Sequence, residues 1–152
     1  MKKKIIFIVI LIAFLALVYA NGNAKNVPMS EISKALISKT DISKMEKCKN
    51  KDLTQFIGIN YKNYDSYIYY KGKEALSVEE LLIVKANNKE DLNSVRDAVE
   101  SRIDSQISTF EGYGPKQVSQ LNNNIIKVKG QYLFYCVSDT PEVYEGVFKD
   151  VI

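Results

Sequence analysis

The sequence predicts an α+β fold: a four-stranded, mainly antiparallel sheet built from two ββα units, packed by helices, with extra N-terminal helices. Three observations favour it. Strand-like runs occur in pairs joined by short turns, which is typical of antiparallel strands. A long helical stripe follows the first pair, and a shorter one follows the second. The length of 152 residues fits one domain.

The first twenty residues, MKKKIIFIVILIAFLALVYA, have the layout of a secretory signal peptide. Three lysines precede an unbroken apolar run at 5–18, which is shorter than the roughly 20 residues that span a bilayer comfortably. Two interpretations stay open: cleavage after Ala20, or retention of 1–20 as an N-terminal membrane anchor. Both predict an extracytoplasmic protein, either secreted or tethered to the outer face of the cytoplasmic membrane. Residues 21–28 form a polar tether, and 29–152 form the single domain.

The charge balance changes when the leader is set aside. The chain has 21 Lys and Arg and 18 Asp and Glu, and three of the lysines but none of the acids lie in the first twenty residues. The remainder therefore carries 18 charges of each sign. A neutral domain has no broad field to attract nucleic acid or anionic lipid. We expect no nucleic-acid partner, and membrane contact only through an uncleaved leader.

Each predicted element has a local justification. Helical spacing of apolar residues starts after Pro28, and a short helix at 52–57 ends at Gly58. The aromatic run 67–70 predicts a strand. The run 81–84 is continuously apolar, which predicts a central strand that is buried on both faces. The helix at 89–110 has the strongest pattern, with six apolar residues in one stripe: Leu92, Val95, Val99, Ile103, Ile107 and Phe110.

The segment FEGYGPKQ at 110–117 resembles a phosphate-binding loop only superficially. It follows a helix instead of a strand, it has Gln117 where a dinucleotide loop needs a third glycine, and no Ser or Thr follows Lys116. A structural hinge fits better, because a glycine can end one helix and Pro115 suits the first turn of the next.

The last third of the chain predicts a hairpin and a helix. Ile126 and Val128 alternate with lysines, Gly130 supplies the turn, and 132–137 form a strongly apolar strand. Thr140 and Pro141 begin the last helix. Its buried stripe is predicted to be Val143, Tyr144, Val147, Phe148 and Val151.

Cys48 and Cys136 leave two alternatives. An exported domain can keep a disulfide between them, but a lone cysteine in an apolar strand also occurs as a small hydrophobic residue. Two cysteines without histidine make a poor zinc site. We expect no metal and no cofactor.

The absence of histidine excludes Ser-His-Asp and Cys-His nucleophile systems. Paired carboxylates could still perform acid–base chemistry, and the candidates are Glu79 with Glu80 and Glu142 with Glu145. Neighbours in a strand point to opposite faces, so the first pair is not expected to share a substrate. We therefore expect no catalytic residue.

Tyrosine is abundant, with ten in the chain. Exposed tyrosines can build a recognition surface because they give a large contact area at low entropy cost. A purely structural role, with the ring in the core and the hydroxyl at the surface, is the alternative. The candidate binding residues are Tyr61, Tyr64 and Tyr67, with Tyr113 at the hinge.

Several residues together resemble a known family. They are Glu80 to Lys85, Arg102, Gln106, Phe110, Tyr113, Pro115, Gln117, Gly130, Tyr132 and Val137-Ser138-Asp139. This set resembles a bacterial domain-of-unknown-function family, four-three-five-eight in that series, over about residues 50 to 150. The resemblance implies a small exported protein of a mainly Gram-positive family with many lipoproteins, although this chain lacks the lipidation cysteine. It implies no catalytic or ligand residue.

The expected function is that of a non-catalytic binding domain in the cell envelope. Its expected partner is another envelope protein or a cell-wall component. An exported hydrolase using carboxylates, or a small lipid or peptide carrier, is the alternative.

Overall fold

A five-stranded antiparallel sheet organises the domain. The computed structural model describes residues 2–152. The strands are β1 (Met45–Lys47), β2 (Ser66–Gly72), β3 (Glu80–Lys85), β4 (Ile125–Lys129) and β5 (Tyr132–Val137). They pair antiparallel in the order β1-β2-β3-β5-β4.

The sheet has one strand more than the four predicted. The additional strand β1 has only three residues, in a lysine-rich segment that is too short to show a period of two. Its place is fixed by pairing with β2, where Glu46 lies opposite Lys71. Opposite charges across a strand pair are favourable, so a contact between distant segments creates this strand.

Within residues 2–152, six α-helices accompany the sheet. They are α1 (Lys2–Gly22), α2 (Met29–Lys39), α3 (Asn50–Asp52, continued by a π-helical turn at Leu53–Ile57), α4 (Leu92–Phe110), α5 (Pro115–Asn122) and α6 (Pro141–Val151). The predicted order of β2, β3, α4, α5, β4, β5 and α6 is confirmed. Among the helices of residues 2–152, none is both long enough and apolar enough to cross a membrane.

The sheet separates two hydrophobic cores. Helix α4 and the π-helical turn cover one face, and α2 and α6 cover the other. The central strand β3 contributes to both, because Leu82 and Val84 point to the α4 side while Leu81 and Ile83 point to the α6 side. All four are fully buried, which confirms the prediction from their continuous apolar run.

The stripe of α4 is confirmed. Five of its six residues are buried and Ile107 is half-buried against the same core. The prediction of a buried stripe on α6 is wrong at its first residue, since Val143 is 50% exposed. Glu145 is buried instead, where Lys149 pairs with its carboxylate at 2.6 Å. The ion pair on the following turn of the helix allows this polar residue to take a buried place.

The hinge at 110–117 adopts the predicted stop and restart. Gly112 has a φ of +94°, in the region that favours glycine, and Pro115 is the first residue of α5. The amide of Gly114 donates to the carbonyl of Phe110 at 2.8 Å. The chain therefore turns sharply from α4 into α5.

The segment predicted as a polar tether is fixed to the domain at its end. The Tyr132 hydroxyl accepts from the amide of Val27 at 2.9 Å and donates to its carbonyl at 2.8 Å. Lys85 Nζ donates to Asn26 Oδ1 at 2.7 Å, and Ala24 lies against Gly130. Val27 joins the core on the α6 side. Residues 24–27 therefore belong to the folded domain, which local composition did not indicate.

Candidate functional site

A buried ionic cluster lies between β3 and α4. Arg102 Nε donates to both carboxylate oxygens of Glu80 at 2.9 and 2.7 Å, and Arg102 Nη2 donates to Glu80 Oε1 at 2.7 Å. The hydroxyls of Tyr69 and Tyr135 donate to the same carboxylate at 2.7 and 3.2 Å. Glu80 is fully buried. All hydrogen-bonding directions around the carboxylate are thus occupied from within the protein.

The electrostatics of this cluster follow from burial and charge. Burial raises the pKa of Tyr69 and Tyr135, and the negative charge of Glu80 raises both further. Burial alone would lower the pKa of Arg102, but the hydrogen bonds and charge of Glu80 more than offset that effect. The pKa of Arg102 is therefore raised. The two tyrosines stay neutral donors and Arg102 stays charged. The cluster can hold β2, β3, β5 and α4 together, but it offers no free group to a substrate.

The predicted carboxylate pairs do not form two-carboxylate sites. Glu80 points toward α4, while Glu79, one residue earlier in the chain, lines a groove outside the core. Glu142 is exposed on α6, and Glu145 is buried beside Lys149. The expectation that neighbours in the strand would face apart is confirmed for Glu79 and Glu80.

The tyrosines predicted to bind are placed in two regions. Tyr61, Tyr64 and Tyr67 pack half-buried against the core on the α4 side. The Tyr64 hydroxyl lies 3.1 Å from Ser94 Oγ, and the Tyr67 hydroxyl donates to Asn50 Oδ1. Two of these hydroxyls therefore have partners inside the protein. The binding role of the three residues stays a prediction.

Tyr113 does not join the other three tyrosines. It follows the carboxyl end of α4, whereas Ser94, the partner of Tyr64, lies at the amino end. The helix between them has 19 residues and is therefore about 28 Å long. Tyr113 is 62% exposed and its ring centroid lies 5.5 Å from that of Phe110. A single surface that includes all four tyrosines is not present in this fold.

The two cysteines lie on opposite faces of the sheet. Cys48 packs half-buried against the core on the α4 side, while Cys136 belongs to the core on the α6 side. Both are free thiols, so the alternative of a Cys48–Cys136 disulfide was wrong. Two sequence positions could not reveal that the sheet would separate them. Burial raises the pKa of Cys48 to about 11 and that of Cys136 to about 12, so both thiols stay protonated at neutral pH.

A polar concave surface lies at the end of the sheet where the β2–β3 turn, the β5–α6 loop and α5 converge. We call it the charged groove. Its volume is about 460 Å³. It is lined by Lys44, Lys73, Glu74, Leu76, Ser77, Glu79, Lys116, Gln117, Gln120 and Asp139.

Several polar contacts fix the walls of the charged groove. Gln120 Nε2 donates to Asp139 Oδ1 at 2.6 Å, and Gln117 Nε2 donates to the carbonyl of Leu76 at 3.3 Å. Lys73 Nζ donates to the carbonyl of Ser43 at 3.0 Å. The hinge thus has a second consequence: it places Gln117 and Gln120 of α5 where they connect the two loops.

Glu79 is the half-buried carboxylate of the charged groove. No lysine or arginine among residues 2–152 forms an ion pair with it. Burial raises its pKa, and the nearby charges of Asp139 and Asp41 raise it further. A cationic group entering the groove would relieve this unfavourable environment.

A second concave surface of about 550 Å³ lies on the other side of the hinge, lined mainly by Phe110, Gly112, Pro115 and Val118. It is less polar than the charged groove and holds no buried charge. Among the described residues, no group of His, Cys, Asp and Glu side chains is arranged to hold a metal ion.

Comparison with known proteins gives one match. The family model described as "Domain of unknown function (DUF4358)" matches residues 38–138, about two thirds of the chain. The chain belongs to the DUF4358 family. The resemblance stated from the sequence is thereby confirmed. No curated protein and no solved structure matches the chain.

The DUF4358 match covers the whole sheet and the part of the fold that builds the site. It begins near the end of α2 and ends after β5. All lining residues of the charged groove except Asp139 lie inside it. The Glu80–Arg102 cluster also lies inside the DUF4358 region, whereas α1 and α6 lie outside.

Sequence reasoning did not find the charged groove, because its ten residues come from four separate segments. One sign was present: Glu79, Gln117 and Asp139 lie within or beside the residues that carry the family resemblance. Their convergence depends on the antiparallel register that pairs Glu80 with Val137.

Proposed function

We propose that this protein is an exported, non-catalytic domain that binds a partner of the cell envelope, either another protein or a wall component, in the charged groove. The observation that carries the proposal is the convergence of three lysines and three carboxylates in one groove, where Glu79 is half-buried and forms no ion pair within the described part of the chain. Polar groups that converge in a concave site are the usual mark of ligand recognition.

Export is supported by how the leader relates to the domain. The apolar side chains from Ile5 to Tyr19 are exposed and none belongs to either core. The domain begins at Ala24, which packs on the core. Cleavage after Ala20 would therefore remove no residue of the folded domain.

A binding role is also favoured by how the carboxylates are used. Glu80 is held by Arg102 in the interior, and Glu145 is held by the exposed side chain of Lys149. Neither is free to act as a general acid or base. The groove carboxylates face lysines and amides, a composition suited to charged and hydrogen-bonded contacts.

Photo-cross-linking in the native cells tests the proposal. A photoreactive residue replaces Leu76, which is 61% exposed at the charged groove. The matched control replaces Ile37 on α2, which is 56% exposed and lies outside the groove. We expect a specific cross-linked adduct from position 76 that is absent from position 37.

Replacement of Tyr61 tests the alternative tyrosine surface in the same experiment. An adduct from position 61 without one from position 76 would contradict binding in the charged groove. A second measurement concerns the leader: the mass of the protein recovered from the envelope is expected to equal that of residues 21–152. The full-length mass would show that the leader is retained.

A further inference from the structure

The charged groove carries unsatisfied groups of both signs. Glu79 has no ion-pair partner, as described above. On the other side, Lys73 Nζ has one backbone acceptor, and Lys116 Nζ lies 3.8 Å from Asp139 Oδ2, beyond hydrogen-bonding distance. An ammonium group has three donors, so both lysines keep donors for a ligand.

We propose that the charged groove binds a short peptide that carries a free ammonium and a free carboxylate, with Glu79 pairing with the ammonium and Lys73 and Lys116 pairing with the carboxylate. This inference rests on the proposed function and names its ligand class. Its volume of about 460 Å³ falls within the roughly 300–1,000 Å³ of small-ligand sites.

The balance of charge argues for a ligand with both signs. Three lysines and three carboxylates line the groove, so its formal charge is zero. A simple anion such as phosphate would meet the lysines but would also be repelled by Glu74, Glu79 and Asp139. A simple cation would be repelled by the lysines. Only a ligand that offers both charges relieves both sets.

The neutral polar groups suit a peptide backbone. Gln120 donates through Nε2 to Asp139, and its Oε1 accepts no side-chain or backbone donor among the described hydrogen bonds. Ser77 Oγ accepts from the amide of Glu79 at 3.2 Å and retains its own O–H donor. An amide oxygen and a hydroxyl donor match the N–H and C=O of a peptide bond.

Isothermal titration calorimetry of the full chain in detergent micelles tests the inference. The probes are L-trialanine with free ends, its N-acetylated form, its C-terminal amide and inorganic phosphate. We expect L-trialanine to bind and each blocked form to bind about tenfold more weakly, or about 1.4 kcal/mol, because each blocked form loses one charge-assisted contact. Phosphate is expected to bind more weakly still.

Variants test which groove residues pair with the ammonium and with the carboxylate of the peptide. Glu79→Gln should weaken L-trialanine about tenfold but leave the N-acetylated form unchanged, because that form has no ammonium. Lys73→Gln combined with Lys116→Gln should weaken L-trialanine but leave the amide unchanged. The matched controls Asp104→Asn and Lys34→Gln alter exposed residues outside the groove, and they should change neither binding constant.

A fifth probe separates two sources of such a peptide. L-Ala-L-Ala-D-Ala represents peptides with a D-residue at the carboxyl end, whereas L-trialanine represents a protein terminus. Tighter binding of L-Ala-L-Ala-D-Ala would assign the ligand to peptides that end in a D-residue, and tighter binding of L-trialanine would assign it to protein termini.

Equal binding of free and blocked trialanine, no binding of any peptide, or tighter binding of phosphate would overturn the inference. If peptides fail while position 76 still cross-links a partner, the proposed function stands and only the ligand class falls. If peptides bind but position 76 cross-links nothing in cells, the ligand class stands and the proposal of an envelope partner is wrong.

Discussion

Glu80 shows how one buried residue joins four elements. Its carboxylate receives hydrogen bonds from Tyr69 on β2, Arg102 on α4 and Tyr135 on β5, while its own backbone lies in β3. A buried charge is tolerated only when its partners are present, and loss of one partner leaves the other charge uncompensated. The residue therefore has a structural role.

Arg102→Met should destabilise the fold strongly. We expect a loss of about 3–5 kcal/mol in the free energy of unfolding, the usual cost of leaving one charge of a buried pair without its partner. The double variant Arg102→Met with Glu80→Gln should recover part of that loss. Urea unfolding followed by circular dichroism measures both. Asp104→Asn, an exposed position on the same helix, should change stability by less than about 0.5 kcal/mol; a similar loss in that control would contradict this explanation.

Glu79 is expected to reduce stability at neutral pH. Its folded-state pKa is raised, chiefly by burial, so the stability linked to this group is fully present below its unfolded pKa of about 4.3 and is lost as pH rises through the folded value. Glu79→Gln should therefore be more stable than the natural protein at pH 7, by less than about 1 kcal/mol because the group is half-exposed.

The pH dependence provides the check on Glu79. Thermal unfolding at pH 7, 5 and 3.5 should show the advantage of Glu79→Gln shrinking as pH falls. A variant that is less stable at pH 7 would mean that Glu79 has a stabilising partner. A residue that lowers stability yet lines a groove fits a role in binding.

At the level of elements, the hinge and the last helix respond in opposite directions to the same substitution. Gly112 has a φ of +94°, so Gly112→Ala should destabilise the protein by about 1–2 kcal/mol. Gly146 lies in α6 and a Cβ there would meet nothing within 4 Å, so Gly146→Ala should stabilise it by up to about 1 kcal/mol.

Differential scanning calorimetry of these two variants checks the prediction, and each serves as the control for the other. Shifts of the same sign would contradict the assigned backbone conformations. Both variants keep Pro115 at the start of α5.

The elements also show what sequence could predict. Long periodic stretches were predicted well, because the stripe of α4 and the apolar run of β3 record the faces that each element buries. The three residues of β1 have no period. The periodicity of α6 did not indicate that Val143 is exposed and Glu145 is buried. The Glu80–Arg102 pair spans 22 positions, and neither residue alone indicates the other.

Considered as a whole, the molecule has two distinct ends. The β2–β3 turn, the β5–α6 loop and the hinge form one end and contain the charged groove. The β4–β5 turn at Gly130 and residues 24–27 form the other. The amino terminus therefore enters opposite the groove. In the proposed exported protein, the groove stays accessible whether residues 1–20 are cleaved or retained.

Removal of one hydroxyl should loosen the amino terminus. Tyr132→Phe deletes both hydrogen bonds to Val27 and should cost about 1–3 kcal/mol, because the buried amide and carbonyl lose their partner. Hydrogen–deuterium exchange should show faster exchange at the Val27 amide, with unchanged exchange in α4. Unchanged exchange at the Val27 amide would mean that the ring itself, and not the hydroxyl, fixes the segment, and global acceleration would mean that the hydroxyl supports the whole fold.

The Val27–Tyr132 contact also has a consequence for biogenesis. Its two residues are 105 positions apart, so the ribosome must synthesise most of the polypeptide before the partner of Val27 exists. If the protein is exported as proposed, a nascent chain whose first residues have entered a translocase cannot form this contact on the side of synthesis. Val27 would then bind Tyr132 only on the other side of the membrane, after Tyr132 has also been translocated.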